Sequence, residues 1–441
     1  MKKSTTLFIG LMLFSMFFGA GNLIFPPSLG ANAGTNFPLA ITGFIVTAVG
    51  LPLLVLIALS FVEGGVRTLG SRVHPIFGIV YTITAYLSVG PFLAIPRNAT
   101  LAFEMGLKPF ISDSTFALIG FTALFFLLVF LVSLNQSKMM DLMGKIITPL
   151  LLISMIVLVV VGFVRLQNGA LAPTTTEYIQ SPFLKGFLEG YNTMDALAAL
   201  AFGIVILSTL KQQGATEGKM LRREVLKAGL LAGFLLAVVY CSLGYIGVKM
   251  AGTGTFENGS ALLSSASYLL FGQWGNLLLG IIFVLACFTT CVGLVSACAN
   301  YFSTLVPKVG YKKISLFFSF IGFGLANFGL NTILLVSVPF LIAAYSLTIV
   351  LIVISLFHPL FKGSSYVYVT AMSLTGIVAL YDGLKAFGLK FGVVDKYMSY
   401  LPFADLGLGW IIPAIVGTAI GYCLYLIKGE SPVVVSRAVG K

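Results

Sequence analysis

The sequence predicts an all-α polytopic membrane protein with twelve transmembrane helices, and three observations carry that prediction. Of its 441 residues, 58% are hydrophobic and 9% charged, with a mean hydropathy of +1.04. A soluble protein carries about 25% charged residues, because water has to solvate its surface. Apolar runs long enough to cross a bilayer, about 20 residues at about 1.5 Å each, recur along the whole chain between polar turns. The cations, finally, gather in alternate turns. A soluble enzyme, a disordered region and a nucleic-acid-binding domain are poor readings of such a chain.

The elements follow in order. After Met1-Lys2-Lys3, the stretch from Ser4 to Val62 holds no charged residue. Ala31-Asn32-Ala33 offers the small-x-small pattern of a signal-peptidase site, yet the run is long enough for two spans around a Gly/Asn/Pro turn. It reads as two retained helices, near 7–30 and 37–62. Spans three to seven fall near 75–104, 115–134, 144–164, 183–210 and 225–248. The charge-free run from Asn258 to Pro307 is too long for one helix. It divides into an external or re-entrant helix over 258–271 and an eighth span near 273–304. The last four spans fall near 312–327, 332–357, 364–386 and 402–427.

The net charge of +12 comes from 26 Lys and Arg against 14 Asp and Glu. With both termini in the cytoplasm, eighteen of the 26 cations lie on the inner side, among them Lys2, Lys138, Arg437, Lys441 and the cluster from Lys211 to Lys227. Seven lie outside, and Arg97 falls within span three. That asymmetry is the positive-inside rule and fits an even number of spans. The Lys211–Lys227 cluster reads as an inner loop, with a lipid-binding patch as its alternative. The five cysteines, Cys241, Cys287, Cys291, Cys298 and Cys423, sit in apolar runs as small hydrophobes. His74 and His358 are too few for a histidine metal site.

Two spans carry interruptions. Span one contains Phe18-Gly19-Ala20-Gly21-Asn22-Leu23-Ile24-Phe25-Pro26-Pro27, where glycines let the backbone leave the helix and prolines remove donors and force a break or a new helix start. Unwound backbone is tolerated at membrane depth only inside protein or facing water. Half-helix ends there offer N–H groups to a carboxylate and carbonyls to a cation; a proline kink with small packing residues is the alternative. Span six contains Gly190-Tyr191-Asn192-Thr193-Met194-Asp195-Ala196-Leu197. A carboxylate at that depth is expensive and marks a pore, a partner or a coupling ion, unless Asp195 lies at the outer interface. Breaks in spans one and six imply two five-helix repeats of inverted topology, 7–164 and 183–357, with 364–427 added outside them. In span eight, Ala286, Thr289 and Thr290 share a helix face and present hard oxygens suited to sodium. Threonines in membrane helices also bond back to the preceding turn.

The span-one segment, together with Gly90-Pro91-Phe92-Leu93-Ala94-Ile95-Pro96-Arg97 and Tyr191-Asn192-Thr193-Met194-Asp195-Ala196-Leu197, resembles the bacterial branched-chain amino acid:cation symporters of the amino acid–polyamine–organocation superfamily. The resemblance covers essentially the whole chain. It implies a LeuT-like fold and uptake of leucine, isoleucine and valine driven by a sodium gradient, with no organic cofactor. By likeness to the sodium-coupled leucine transporter, the amides around Gly19, Ala20 and Gly21 would hold the substrate carboxylate. Asn22 would bind a substrate-linked sodium. Ser15 and Phe18 would lend carbonyls to another sodium, completed by Ala286, Thr289 and Thr290. That relative has no acid at Asp195, so the role of Asp195 does not carry over.

The expected mechanism is symport by alternating access, with the substrate ammonium on free carbonyls near Asp195 and Ala196 and its carboxylate at the span-one break. A methylene in an apolar pocket changes binding by only about 1–3 kcal/mol, so one site can serve three branched side chains. Arg97 reads as an outer-gate cation pairing with Glu104 or Asp195, or as a snorkelling residue at the interface. Proton-coupled or sodium-independent carriers and a non-pumping sensor are the competing readings; no enzyme site is expected. The expected location is the bacterial plasma membrane, with the lipid bilayer and the three amino acids as partners and no obligate protein partner.

Overall fold

The computed structural model describes residues 3–62, 64–111, 114–135, 139, 141–167, 174–215 and 218–429. The inner-side cations Lys2, Lys138, Arg437 and Lys441, and with them both chain ends, lie outside the described residues. The chain is helical throughout that range. Ten helices among the described residues are long and apolar enough to cross a membrane, so the chain is a multi-pass membrane protein.

Span one is two helices, α1 (Lys3–Phe17) and α2 (Ala20–Ala33). The break falls at Phe18-Gly19, where Gly19 is extended at φ −122° and ψ −160°. The break expected at the prolines does not fall there. Pro26 and Pro27 sit inside α2, where their missing N–H groups leave two carbonyls free without ending the helix.

Span two comprises α3 (Phe37–Ile45) and α4 (Leu51–Ser60), joined by the π-turn Val46–Gly50. A short helix, α5 (Gly65–Ser71), leads to span three. That span is itself interrupted, a feature not anticipated: α6 (Pro75–Leu87) and α7 (Ala94–Gly106) meet across Ser88–Phe92, with Gly90 non-helical at φ −77° and ψ −115°. The cause is local, because Pro91 cannot donate and crowds the turn before it. Spans four and five are α8 (Thr115–Ser133) and α9 (Thr148–Arg165), the latter entered through the π-turn Met143–Ile147.

Span six comprises a short helix α10 (Pro182–Glu189), the 3-10 turn Gly190–Thr193 and α11 (Asp195–Gln212). Then come α12 (Gly218–Met250), α13 (Gly259–Phe271) and α14 (Gln273–Leu305). The separate helix expected over 258–271 is α13, capped by the Asn258 side chain on Ser260 N and Ala261 N at 3.0 Å each. At 33 residues, α14 is about 50 Å long. It runs through the middle of the bundle, against α1, α7 and α11.

The remaining helices are α15 (Tyr311–Ala326), α16 (Leu330–Leu356), α17 (Ser365–Ala386) and α18 (Ile411–Lys428). The last starts nine residues later than the sequence placed it. Phe403 at φ 65° and Gly407 at φ 71° turn the chain repeatedly through the left-handed region, so no helix propagates from 402. The pair α17 and α18 pack on each other and reach the rest chiefly through α16, leaving α18 at the edge.

Candidate functional site

The interruptions of spans one, three and six meet in the centre of the bundle. At the span-one break, the side chains of two asparagines cap the first amides of α2. Gly19 N–H donates to Asn22 Oδ1 at 3.0 Å, and Ala20 N–H donates to Asn98 Oδ1 at 2.8 Å. Asn98 Nδ2 in turn donates to Ala94 O at 2.7 Å, one turn back in α7. Orphan N–H groups at a helix start need such acceptors when buried. Two of the amides expected to receive a substrate carboxylate are therefore already capped in this structure.

In span six the chain turns through Met194, a non-glycine residue in the left-handed region at φ 67°. Asp195 then opens α11, enclosed by protein with only 2% of its surface exposed. Its Oδ2 accepts from Asn22 Nδ2 at 2.6 Å and from Tyr240 OH at 3.1 Å, and Asn22 Nδ2 also contacts Tyr240 OH. Tyr240 is fixed by the edge of its ring against Phe44, with centroids 5.3 Å apart. A carboxylate at a helix N-terminus also gains from the helix dipole. Asn22, expected as a sodium ligand, thus ties the two breaks together: its oxygen serves Gly19 and its nitrogen serves Asp195. Ala196, buried behind Asp195, belongs to the same turn.

Arg97 is likewise 2% exposed, so it does not snorkel to an interface. The ion pair with Asp195 that the sequence allowed is not formed among the described residues. Nη1 donates instead to Asn192 O at 3.1 Å, while Nε has no partner. The guanidinium lies against Gly21, where a Cβ would come 2.9 Å from Nη2 and 3.1 Å from Asn192 O. Only glycine leaves room for that approach. Tyr191 and Tyr345 stack nearby, centroids 4.6 Å apart, and both hydroxyls are buried without partners.

A second cluster contains only neutral oxygens. Thr289 Oγ1 lies 2.7 Å from Ser15 O and 3.0 Å from both Ala286 O and Leu285 O. Thr290 Oγ1 is buried with no partner and faces Gly19, where a Cβ would come within 2.8 Å of it. Four of the residues expected around a sodium ion, Ser15, Ala286, Thr289 and Thr290, are thereby gathered beside the break; Phe18 immediately precedes Gly19 in it. A buried hydroxyl among three carbonyls, with a second, unpartnered hydroxyl on the next residue, is an oxygen set that fits a small hard cation.

A cavity of about 940 Å³ opens between α4, α5, α6, α11, α12 and α14, with Arg67, Lys211 and Arg222 in its wall. It extends inward to Tyr86 and Leu200, where Tyr86 OH donates to Leu200 O at 3.3 Å.

Asn98, Tyr240, Tyr345 and Tyr191 were not anticipated. Asn98 directly follows the Pro96-Arg97 motif, and Tyr240 is a polar tip within an otherwise apolar span; those were the available signals.

Residues 2–428 match the family described as branched-chain amino acid transport protein. The chain belongs to that family. It is 46% identical over 435 residues to the branched-chain amino acid permease BrnQ of Bacillus subtilis, covering 98% of this chain and 99% of that one. It is 38% identical over 431 residues to the branched-chain amino acid transport system 2 carrier protein of Pseudomonas aeruginosa, covering 98% of each. These relatives are named as permeases and carriers, not as enzymes. Among solved structures, the fold resembles Mhp1, a nucleobase-cation-symport-1 family transporter, at a TM-score of 0.56 and 13% identity over 97% of this chain and 93% of that one. It also resembles MhsT in complex with L-phenylalanine, at 0.56 and 14% over 95% and 98%. At such identities the likeness speaks to the fold alone, an all-helical LeuT-like architecture.

Proposed function

We propose that this family member is a sodium-coupled symporter that imports leucine, isoleucine and valine by alternating access. It would sit in the bacterial plasma membrane as twelve spans with both termini inside, arranged as inverted repeats 7–164 and 183–357 followed by 364–427. The names of the relatives support the substrate class. The observation that carries sodium is the neutral oxygen cluster, with Ser15 O, Ala286 O and Thr289 Oγ1 within 3.0 Å contacts and Thr290 Oγ1 unpartnered. The Thr289 hydroxyl would turn its lone pair to the ion, and carbonyls from two different spans would close around it. Asn22 is left out of this ligand set because both ends of its amide are engaged.

The cavity walled by Arg67, Lys211 and Arg222 faces the cytoplasm in this orientation, so the conformation is open on the inner side. Solute released from the centre would leave past Tyr86 and Leu200. A second reading, proton coupling, is favoured by one observation: Asp195 is a buried carboxylate without an ion-pair partner among the described residues. Labelled-leucine uptake by the purified protein in liposomes, under imposed sodium or proton gradients, separates the two. Accumulation should follow sodium; accumulation that ignores sodium and follows protons would replace this reading with the second.

A further inference from the structure

Two buried ionisable side chains of opposite type, Arg97 and Asp195, occupy the centre of the bundle without forming an ion pair among the described residues. A guanidinium carries five N–H donors, yet Arg97 has one hydrogen-bond acceptor among the described residues, Asn192 O. Its Nε is enclosed and unpartnered. Buried donors left in that state call for an acceptor from outside the chain, and a planar cationic fork is matched by a carboxylate. At the break, the amides of Gly19 and Ala20 are spent on asparagine side chains. On the opposite side, Asp195 is held in place through Oδ2 by two neutral donors, Asn22 and Tyr240. No cation balances it among the described residues. Arg97 reaches Gly21 and Asn192, while Asp195 reaches Asn22. The two charges thus flank the same short stretch of broken helix.

We infer that Arg97 is the carboxylate anchor of the transport site and Asp195 the ammonium anchor, so that the site is matched in charge to an α-amino acid zwitterion. The inference rests on the reading of the chain as an amino acid carrier and adds to it the groups that recognise the backbone of the substrate. It carries a specificity consequence. A branched-chain amine lacking the carboxylate faces an unmatched Arg97, and a branched-chain 2-oxo acid lacking the ammonium faces an unmatched Asp195. Both should be rejected although their side chains are those of leucine.

The test is calorimetric titration of the purified full-length protein in sodium-containing detergent buffer with L-leucine, L-leucinamide and 4-methyl-2-oxopentanoate. A charged hydrogen bond contributes about 1.5–3 kcal/mol, which converts to about 10- to 100-fold in affinity. Wild-type protein should therefore prefer leucine over either analogue by at least about tenfold. Arg97→Gln should weaken leucine by about that factor while leaving leucinamide unchanged or tighter. Asp195→Asn should do the same for leucine relative to the 2-oxo acid. Arg97→Lys, which keeps the charge and loses the fork, should fall between. The ratio between ligands is read within each variant, so partial loss of folded protein does not move it. A leucine-to-leucinamide ratio unchanged in Arg97→Gln overturns the inference. Should that variant not fold, wild-type affinities for leucine and leucinamide within about threefold of each other overturn it too. Failure of wild-type protein to bind leucine at all sinks the carrier reading instead.

Discussion

The two polar clusters flanking the span-one break are made of opposite materials. On one side, Ser15, Ala286, Thr289 and Thr290 present only neutral oxygens. On the other, Arg97 and Asp195 present a basic and an acidic side chain, each 2% exposed. The difference teaches how a bundle that is 9% charged divides its work. A monovalent ion that must bind and leave is suited by neutral dipoles, since a fixed carboxylate at low dielectric would hold it too strongly. A zwitterion needs both signs, and supplying both keeps the net charge of the empty site near zero. Gly19 touches the first cluster and Gly21 the second, so the two meet through three residues of backbone.

The comparison is broken most severely at its charged side. Asp195→Ala removes the group proposed to hold the substrate ammonium, and truncating one side of such a buried charge pair costs about 2–5 kcal/mol. Leucine uptake in liposomes should fall by about a hundredfold or more, with the sodium dependence of the residual uptake unchanged. A large change in sodium half-saturation would merge the two clusters into one site. The neutral side responds more gently. Thr290→Val deletes one oxygen and keeps the volume, so sodium half-saturation should rise by about tenfold, with little change in maximal rate at saturating sodium. Thr289→Val should behave alike. Unchanged sodium dependence in both variants would remove the ion from this cluster.

The residue joining the clusters should affect both. Gly19 is extended rather than left-handed, so alanine is allowed by the backbone. Its Cβ, however, would come within 2.8 Å of both Asn98 Oδ1 and Thr290 Oγ1. Gly19→Ala should raise the leucine KM and the sodium half-saturation together by about fivefold, the scale of moderate overpacking. A change in only one of the two would place Gly19 with that cluster alone.

How much of this was legible in the sequence depended on how far each signal reached. The apolar runs, the break near Gly19 and the oddity of Asp195 are properties of local windows; their counterparts among the described residues are ten helices long and apolar enough to cross a membrane, the extended Gly19 and a buried Asp195. The prolines misled because they lie in the same window as the glycines; the glycine backbone broke the helix while Pro26 and Pro27 stayed inside it. The start of α18 was misplaced because hydropathy does not register the left-handed turns at Phe403 and Gly407. The capping of Ala20 by Asn98 joins residues 78 apart, and that of Asp195 by Asn22 joins residues 173 apart. No periodicity encodes such pairs. Arg97 illustrates the middle case: its place in an apolar run was readable, but its partner, a carbonyl exposed by the span-six turn, exists only once that turn has formed.

The smallest expected effect separates holding a charge from being one. Tyr240 donates to Asp195 at 3.1 Å and contacts Asn22, but among the described residues it hydrogen-bonds to neither the oxygen cluster nor Arg97. Tyr240→Phe keeps the ring that packs edge-on against Phe44 and deletes one hydrogen bond of two to the carboxylate. Asn22 still holds Asp195 at 2.6 Å. Stability should drop by about 1 kcal/mol, read as a slightly lower melting temperature, while leucine KM changes by no more than about twofold. If Tyr240→Phe instead cost as much uptake as Asp195→Ala, the hydroxyl would itself be part of the anionic site. The ammonium anchor would then be the Asp195–Tyr240 pair, not the carboxylate alone.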